Sequence, residues 1–128
     1  MSSTPFFESV ESIRYAGPDA DDPLAFRWYD AARVVVGSTM AEHLGFGVCY
    51  WHSFAWDGSD IFGSGTLDRP WNRSSRTGDQ VMDPMVAAKS KLAAAFEFVS
   101  KLGAPFISFH DIDISPAVSS FAETCRFF

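Results

Sequence analysis

The sequence predicts an α/β chain whose ordered part is one strand–helix–strand unit with parallel pairing, and three observations lead there. Val48-Cys49-Tyr50-Trp51-His52-Ser53-Phe54 is a continuous β-prone run without polar alternation, as in a strand covered on both faces. Asp83-Pro84 opens and Gly103 closes a segment in which Met85, Ala88, Leu92, Ala95, Phe96, Val99 and Leu102 recur at helical spacing. Phe106-Ile107-Ser108-Phe109-His110 then forms a second short run after Ala104-Pro105. A strand, a connection containing a helix and another strand make a βαβ unit, whose crossover implies a parallel sheet.

The elements follow in order within one domain: residues 1–46 as an irregular arm with a short helix, and residues 47–128 as the βαβ segment. Turn signals punctuate the arm at Gly17-Pro18, Asp21-Asp22-Pro23 and Gly37. Between them Leu24-Ala25-Phe26-Arg27-Trp28-Tyr29 has no clean period, so its rings read as anchors packed on something larger. Thr39-Met40-Ala41-Glu42 matches a capping box and predicts a short helix over 39–45, stopped by Gly45 and Gly47. From Trp56 to Gly78 the composition is that of a loop, with Asp57-Gly58-Ser59-Asp60, Gly63-Ser64-Gly65 and Arg69-Pro70-Trp71-Asn72. Loops of that length inside a domain are functional or held by a partner. In the long helix, Lys89, Lys91 and Lys101 are expected off the apolar stripe.

Composition narrows the function. Of 128 residues, 47% are hydrophobic and 20% charged, a globular balance, and 16% are aromatic. That many rings need a core or an interface. A net charge of -6 argues against nucleic acid and against an anionic membrane surface. Cys49 and Cys125 show no metal or redox spacing and suggest no disulfide framework. The N-terminus lacks the pattern of a secretory signal, and apolar runs are too short to span a membrane, so a cytoplasmic protein is expected.

The chemistry gathers in His110-Asp111-Ile112-Asp113-Ile114-Ser115-Pro116, at the C-terminal end of the second strand. That is the end where parallel α/β sheets and barrels build sites. A carboxylate can hold the Nδ1 proton of an imidazole and leave Nε2 free to exchange a proton with a substrate oxygen. His110 with Asp113 suits that role. The same residues also read as a plain loop in which Asp111 or Asp113 caps a following helix. A metal site is a third reading, although a hard cation wants oxygens converging from separate elements. At the first strand's end Trp51, His52, Trp56 and Asp60 offer ring faces beside polar groups, suited to a sugar or simply to a core. His43 reads as a surface residue. Gly63-Ser64-Gly65 is not a phosphate loop, since no Lys-Ser/Thr and no helix follow it.

Taken together, these segments resemble the N-terminal portion of xylose isomerases of the class with an extended N-terminal arm. The stretches that carry the likeness are Tyr15-Ala16-Gly17-Pro18, Pro23 to Arg27, Met40 to Leu44, Tyr50 to Phe54, Asp57 to Thr66 and Arg69-Pro70-Trp71. Ala95-Phe96-Glu97-Phe98, Lys101-Leu102-Gly103 and Phe109 to Pro116 complete it. The resemblance implies the first two strands and connecting helix of a TIM-type (β/α)8 barrel, too short to close a barrel alone. It implies aldose–ketose isomerisation of D-xylose or D-glucose, with His110 and Asp113 as the catalytic ring-opening pair. Trp51, His52, Phe62 and Asp111 become substrate-binding residues, Trp51 as an aromatic wall and Phe62 as a ring offered to a neighbouring subunit. An aldose substrate and a homo-oligomer are implied as partners.

The departures bear on the cofactor. The resemblance implies a divalent ion, Mg, Mn or Co, for the hydride shift, but the family's ligands and its catalytic lysine belong to later strands absent from this chain. Asp57, Asp60 or Asp111 would have to be recruited on assembly. Ala117-Val118 stands where the family has Glu-Gly, and family-like sequence resumes at Ser119–Phe128. The rival expectation is a non-catalytic sugar-binding or oligomerisation fragment.

Overall fold

The computed structural model describes residues 5–67, 69–71, 83–116, 118 and 120–127. Residues 72–78 of the long loop, Ala117 and Ser119 lie outside that set. In chain order the elements are β1 (Val34–Val35), β2 (Ser38–Thr39), α1 (Met40–His43) and β3 (Gly47–Cys49). A π-helical turn (Trp51–Ala55), α2 (Pro84–Leu102), β4 (Phe106–Ser108), α3 (Asp111–Ile114) and α4 (Phe121–Thr124) follow.

The βαβ unit forms as its pattern predicts. β3 and β4 pair in parallel, with Gly47 opposite Phe106, Val48 opposite Ile107 and Cys49 opposite Ser108. α2 makes the crossover. The Asp83 carboxylate accepts from the Met85 and Val86 amides, Pro84 fills the first helical position, and Gly103 at φ 71° ends the helix in a left-handed conformation that glycine adopts without strain.

The first strand is shorter than predicted. It stops at Cys49, Tyr50 turns helical (φ -60°, ψ -44°), and the Trp56 amide donates to the Trp51 carbonyl at 2.8 Å. The core decides this. Tyr50 and Phe54 are 0% and 2% exposed with ring centroids 5.6 Å apart. In a strand, residues four apart are separated by roughly 13 Å. Only a helical turn brings those two rings together. The second strand also ends early, at Ser108, leaving Phe109 and His110 beyond it.

Val48, Tyr50, Phe54, Trp71, Ala94, Ala95 and Ala104 form the core. Ala94 and Ala95 give α2 a flat face against which the large rings close. The Trp71 indole N–H donates to the Phe54 carbonyl at 3.0 Å, so a residue of the loop is locked into the interior. The predicted stripe of α2 turns inward at Ala88, Leu92, Ala95, Val99 and Leu102 but not at Phe96. Phe96 is 58% exposed, while Phe98 turns inward against Phe7 and Phe54 at 5.8 and 5.6 Å. Lys91 and Lys101 are half-buried rather than on the open face.

The arm is irregular but pinned. The Glu97 carboxylate accepts from the Phe6 and Phe7 amides, and the Lys101 ammonium donates to the Phe7 and Val10 carbonyls. Phe26, Tyr29 and Phe46 pack edge to face, the anchoring expected of that segment. The arm also holds an unpredicted hairpin, β1 antiparallel to β2, turning through Val36 (φ 49°) and Gly37 (φ 86°). The predicted capping box starts α1, with Thr39 and Glu42 exchanging hydrogen bonds.

Candidate active site

Parallel pairing puts the outgoing ends of β3 and β4 side by side, so Trp51 and His110 each follow the Cys49–Ser108 pair by two residues. His110 has extended backbone (φ -96°, ψ 154°) and precedes α3. One turn later Asp113 reaches back. Its Oδ2 accepts from the His110 amide at 2.9 Å and lies 3.0 Å from the His110 ring Nδ1. Helix capping and imidazole pairing, alternatives in the sequence, are here one interaction. Facing a carboxylate that only accepts, a neutral imidazole places its hydrogen on Nδ1 and its lone pair on Nε2. The Asp113 side chain is 5% exposed and that of His110 73%, so the carboxylate is fixed from below and the ring stands in solvent.

The remaining predicted residues are placed as follows. Trp51, 39% exposed, stacks on Trp56 at 6.1 Å and meets the edge of His52 at 4.4 Å. His52 is exposed, with Nδ1 3.3 Å from the Cys49 sulfur. Phe62 is 89% exposed at the tip of a turn in which the Asp60 carboxylate holds the Phe62 and Gly63 amides. Asp111 is exposed on α3 and holds the Ile112 amide. His110 and Asp113 are thus brought together, Trp51 and His52 share their end of the sheet, and Phe62 stands on a separate loop.

No family model matches the chain. Curated relatives do. A xylose isomerase of Mannheimia succiniciproducens is 47% identical over 125 residues, covering 98% of this chain and 27% of the relative. A xylose isomerase of Marinomonas sp. is 50% identical over 92% of this chain and 25% of its own length. One of Pseudomonas fluorescens is 51% identical over 93% and 26%. The chain belongs to the xylose isomerase family. It corresponds to an N-terminal portion and spans about a quarter of the length of those relatives.

Xylose isomerases generally use divalent metals. Among the described residues no three His, Cys, Asp or Glu side chains gather as ligands, so these residues by themselves build no metal site and no step is assigned to one. Asp60 and Asp111, expected as recruits, already hold backbone amides. No helix of the described residues is long and apolar enough to cross a membrane.

Three groups near this end of the sheet were not singled out from the sequence. Tyr50 lies beneath the site with its hydroxyl buried and unpaired among the described residues. Burial, with the Asp113 charge, pushes that phenol up to about 12. Lys91 sits over the Tyr50 ring at 5.8 Å; burial lowers its pKa and Asp113 opposes the fall. The signal was available, since Lys91 is three residues after the buried Ala88 and four before Ala95, on the same face. Third, hydrogen bonds from His52, the backbone one largest, hold the exposed Cys49 thiol below its ordinary 9.0 against opposing desolvation.

Proposed function

We propose that His110 and Asp113 are the ring-opening pair of an aldose isomerase. Nε2 of a neutral His110 takes the anomeric hydroxyl proton of a cyclic sugar. The ring C–O bond then breaks as the carbonyl forms, and the imidazolium returns its proton to the departing ring oxygen. Asp113 stabilises the imidazolium and keeps the ring oriented throughout. What carries this reading is the 3.0 Å contact of Nδ1 with a buried carboxylate while the rest of the ring stays open. Trp51 supplies a ring face at the same sheet end, with His52 and Asp111 as polar neighbours. Phe62 serves a neighbouring subunit of a homo-oligomer.

The complete reaction of the family, xylose to xylulose, is proposed for the longer protein. β3, α2 and β4 are then the first two strands and connecting helix of a (β/α)8 barrel. In support, Phe106, Phe109 and Ile112 are 63%, 53% and 66% exposed around β4, apolar area that further strands and helices would cover.

Ring opening can be read without the hydride shift. In EDTA, the chain should speed the interconversion of α- and β-D-xylopyranose, followed by polarimetry or proton NMR. His110→Ala should remove that acceleration, roughly the 10²–10⁴-fold assigned to a positioned proton-transfer group. Equal rates for wild type and variant, both folded by circular dichroism, would defeat the assignment. EDTA also silences a contaminating host isomerase in the parallel ketose assay.

A further inference from the structure

Four rings from four parts of the chain close into a circle. Phe7 of the arm meets Trp71 of the loop at 6.4 Å, and Trp71 meets Phe54 of the π-helical turn at 5.5 Å. Phe54 meets Phe98 of α2 at 5.6 Å, and Phe98 returns to Phe7 at 5.8 Å. With Ser53 and Arg69 these rings line a cavity of about 300 Å³. Small-ligand pockets begin at that size. Neither His110 nor Asp113 lines it, so it is separate from the candidate active site.

Arg69 is the group in this wall that lacks a counterpart. It is half-buried, with its guanidinium carbon 5.7 Å from the Trp71 ring centroid. Its Nε is buried without a hydrogen-bond partner, and no acidic side chain of the described residues pairs with it. A buried donor on a charged group is costly to leave unpaired. The indole face attracts the cation but supplies no acceptor in the guanidinium plane.

These groups select the chemistry of an occupant. A guanidinium presents parallel N–H groups that match the two oxygens of a carboxylate. Ser53 adds one hydroxyl, and the rings offer apolar faces. A single cation suits a monoanion better than a phosphate dianion. We propose that this cavity binds a small monocarboxylic acid with an apolar body, its carboxylate on Arg69 and its body against the four rings. Because the wall is drawn from the arm, the loop, the π-helical turn and α2, the ligand fastens all four together. The inference does not rest on the ring-opening reading.

Benzoate is the probe, and benzamide is its uncharged counterpart of nearly equal shape. The whole chain, labelled with 15N-tryptophan, is titrated with each at pH 7. The Trp71 indole N–H is 4% exposed and donates to the Phe54 carbonyl, so of the four indoles it should exchange slowest with D2O and identify itself. Benzoate should shift that signal saturably, with a midpoint in roughly the millimolar range expected of so small a ligand. Benzamide should bind at least about tenfold more weakly. Arg69→Met, folded by circular dichroism, should bring benzoate down to the benzamide level. If Arg69→Met does not fold, the benzoate–benzamide difference on the wild type decides alone. Equal binding of the two probes, no saturable shift with benzoate, or benzoate binding retained by folded Arg69→Met would overturn the proposal.

Discussion

The arm junction and the strand-end site use the same chemistry to opposite ends. At the junction Glu97 is 19% exposed and accepts from the Phe6 and Phe7 amides at 2.7 and 3.0 Å, with Lys101 3.5 Å away. At the site Asp113 is 5% exposed and accepts from the His110 amide and ring. Every donor to Glu97 is fixed in its protonation, so the carboxylate is saturated and serves only to fasten. The ring donor to Asp113 is titratable and 73% exposed, so the same fastening leaves a reactive nitrogen outside. What separates a clasp from a site is whether one of the donors belongs to a ring with a second, basic nitrogen open to a substrate.

Trp71→Ala should give the largest effect and tests whether the two regions are distinct at all. Trp71 is 4% exposed and touches Phe6, Phe7 and Phe54, the arm on one side and the site's footing on the other. Its loss should cost about 3–5 kcal/mol, read by urea melting. Hydrogen exchange should then rise in the arm and in the π-helical turn together. A rise in the arm alone would show that the site stands on its own.

The carboxylates themselves come next. Glu97→Ala should make the arm severalfold easier to cleave by protease while ring opening is untouched. Asp113→Asn should reverse the pattern, slowing anomer interconversion with the arm still protected. Matching losses in both assays would erase the contrast. Acid should act on the junction in the same sense as Glu97→Ala. Burial raises the Glu97 pKa, but the Phe6 and Phe7 amides and Lys101 outweigh it, leaving the folded value below the ordinary 4.5. A depressed acid contributes stability that is present above its unfolded value and lost as pH falls through the folded one. Arm cleavage should therefore rise below about pH 4.5 and be flat from there to neutrality. An arm equally resistant at pH 3 would count against the clasp.

Two smaller effects sharpen the edges of the comparison. Cys49 and Cys125 are both exposed thiols, but Cys49 alone has His52 at 3.3 Å. Iodoacetamide should label Cys49 first, with its rate rising at a lower pH than an ordinary thiol, and His52→Gln should bring the two into line. Equal rates in the wild type would remove His52 as the cause. In the β1–β2 turn, Val36 holds a branched side chain at φ 49° and is 94% exposed. Val36→Asn, suited to a left-handed turn before Gly37, should stabilise by about 1 kcal/mol, seen as a raised Tm. A lowered Tm would mean the turn is not strained.

The elements that announce themselves by chemistry were legible in the sequence. Asp83-Pro84, Gly103 and the Thr39–Glu42 box fix helix ends through local hydrogen bonds, and local rules suffice there. The His110–Asp113 pair was legible too, because a spacing of three places both on one helical turn. The rest depended on the fold. Tyr50 to Phe54 has strand propensity, yet tertiary packing overrides it to bring two rings into one core. Phe96 and Phe98 are equally apolar, and only the direction of the sheet decides which turns in. Lys91 was misplaced because charge suggested solvent while its position, between Ala88 and Ala95, pointed to the core. Glu97 and Lys101 bind an arm some ninety residues away, a pairing with no local signature.

The proposed role of the pair depends on how the His110 ring carries its hydrogen. Long-range proton–nitrogen NMR of the chain labelled with 15N-histidine, at a pH where the ring is neutral, reads this directly. The expected spectrum shows a protonated Nδ1 and a bare Nε2, a preference that Asp113→Asn removes. A bare Nδ1 in the wild type, or a ring spectrum indifferent to Asp113→Asn, would mean that the buried carboxylate does not set this imidazole to work.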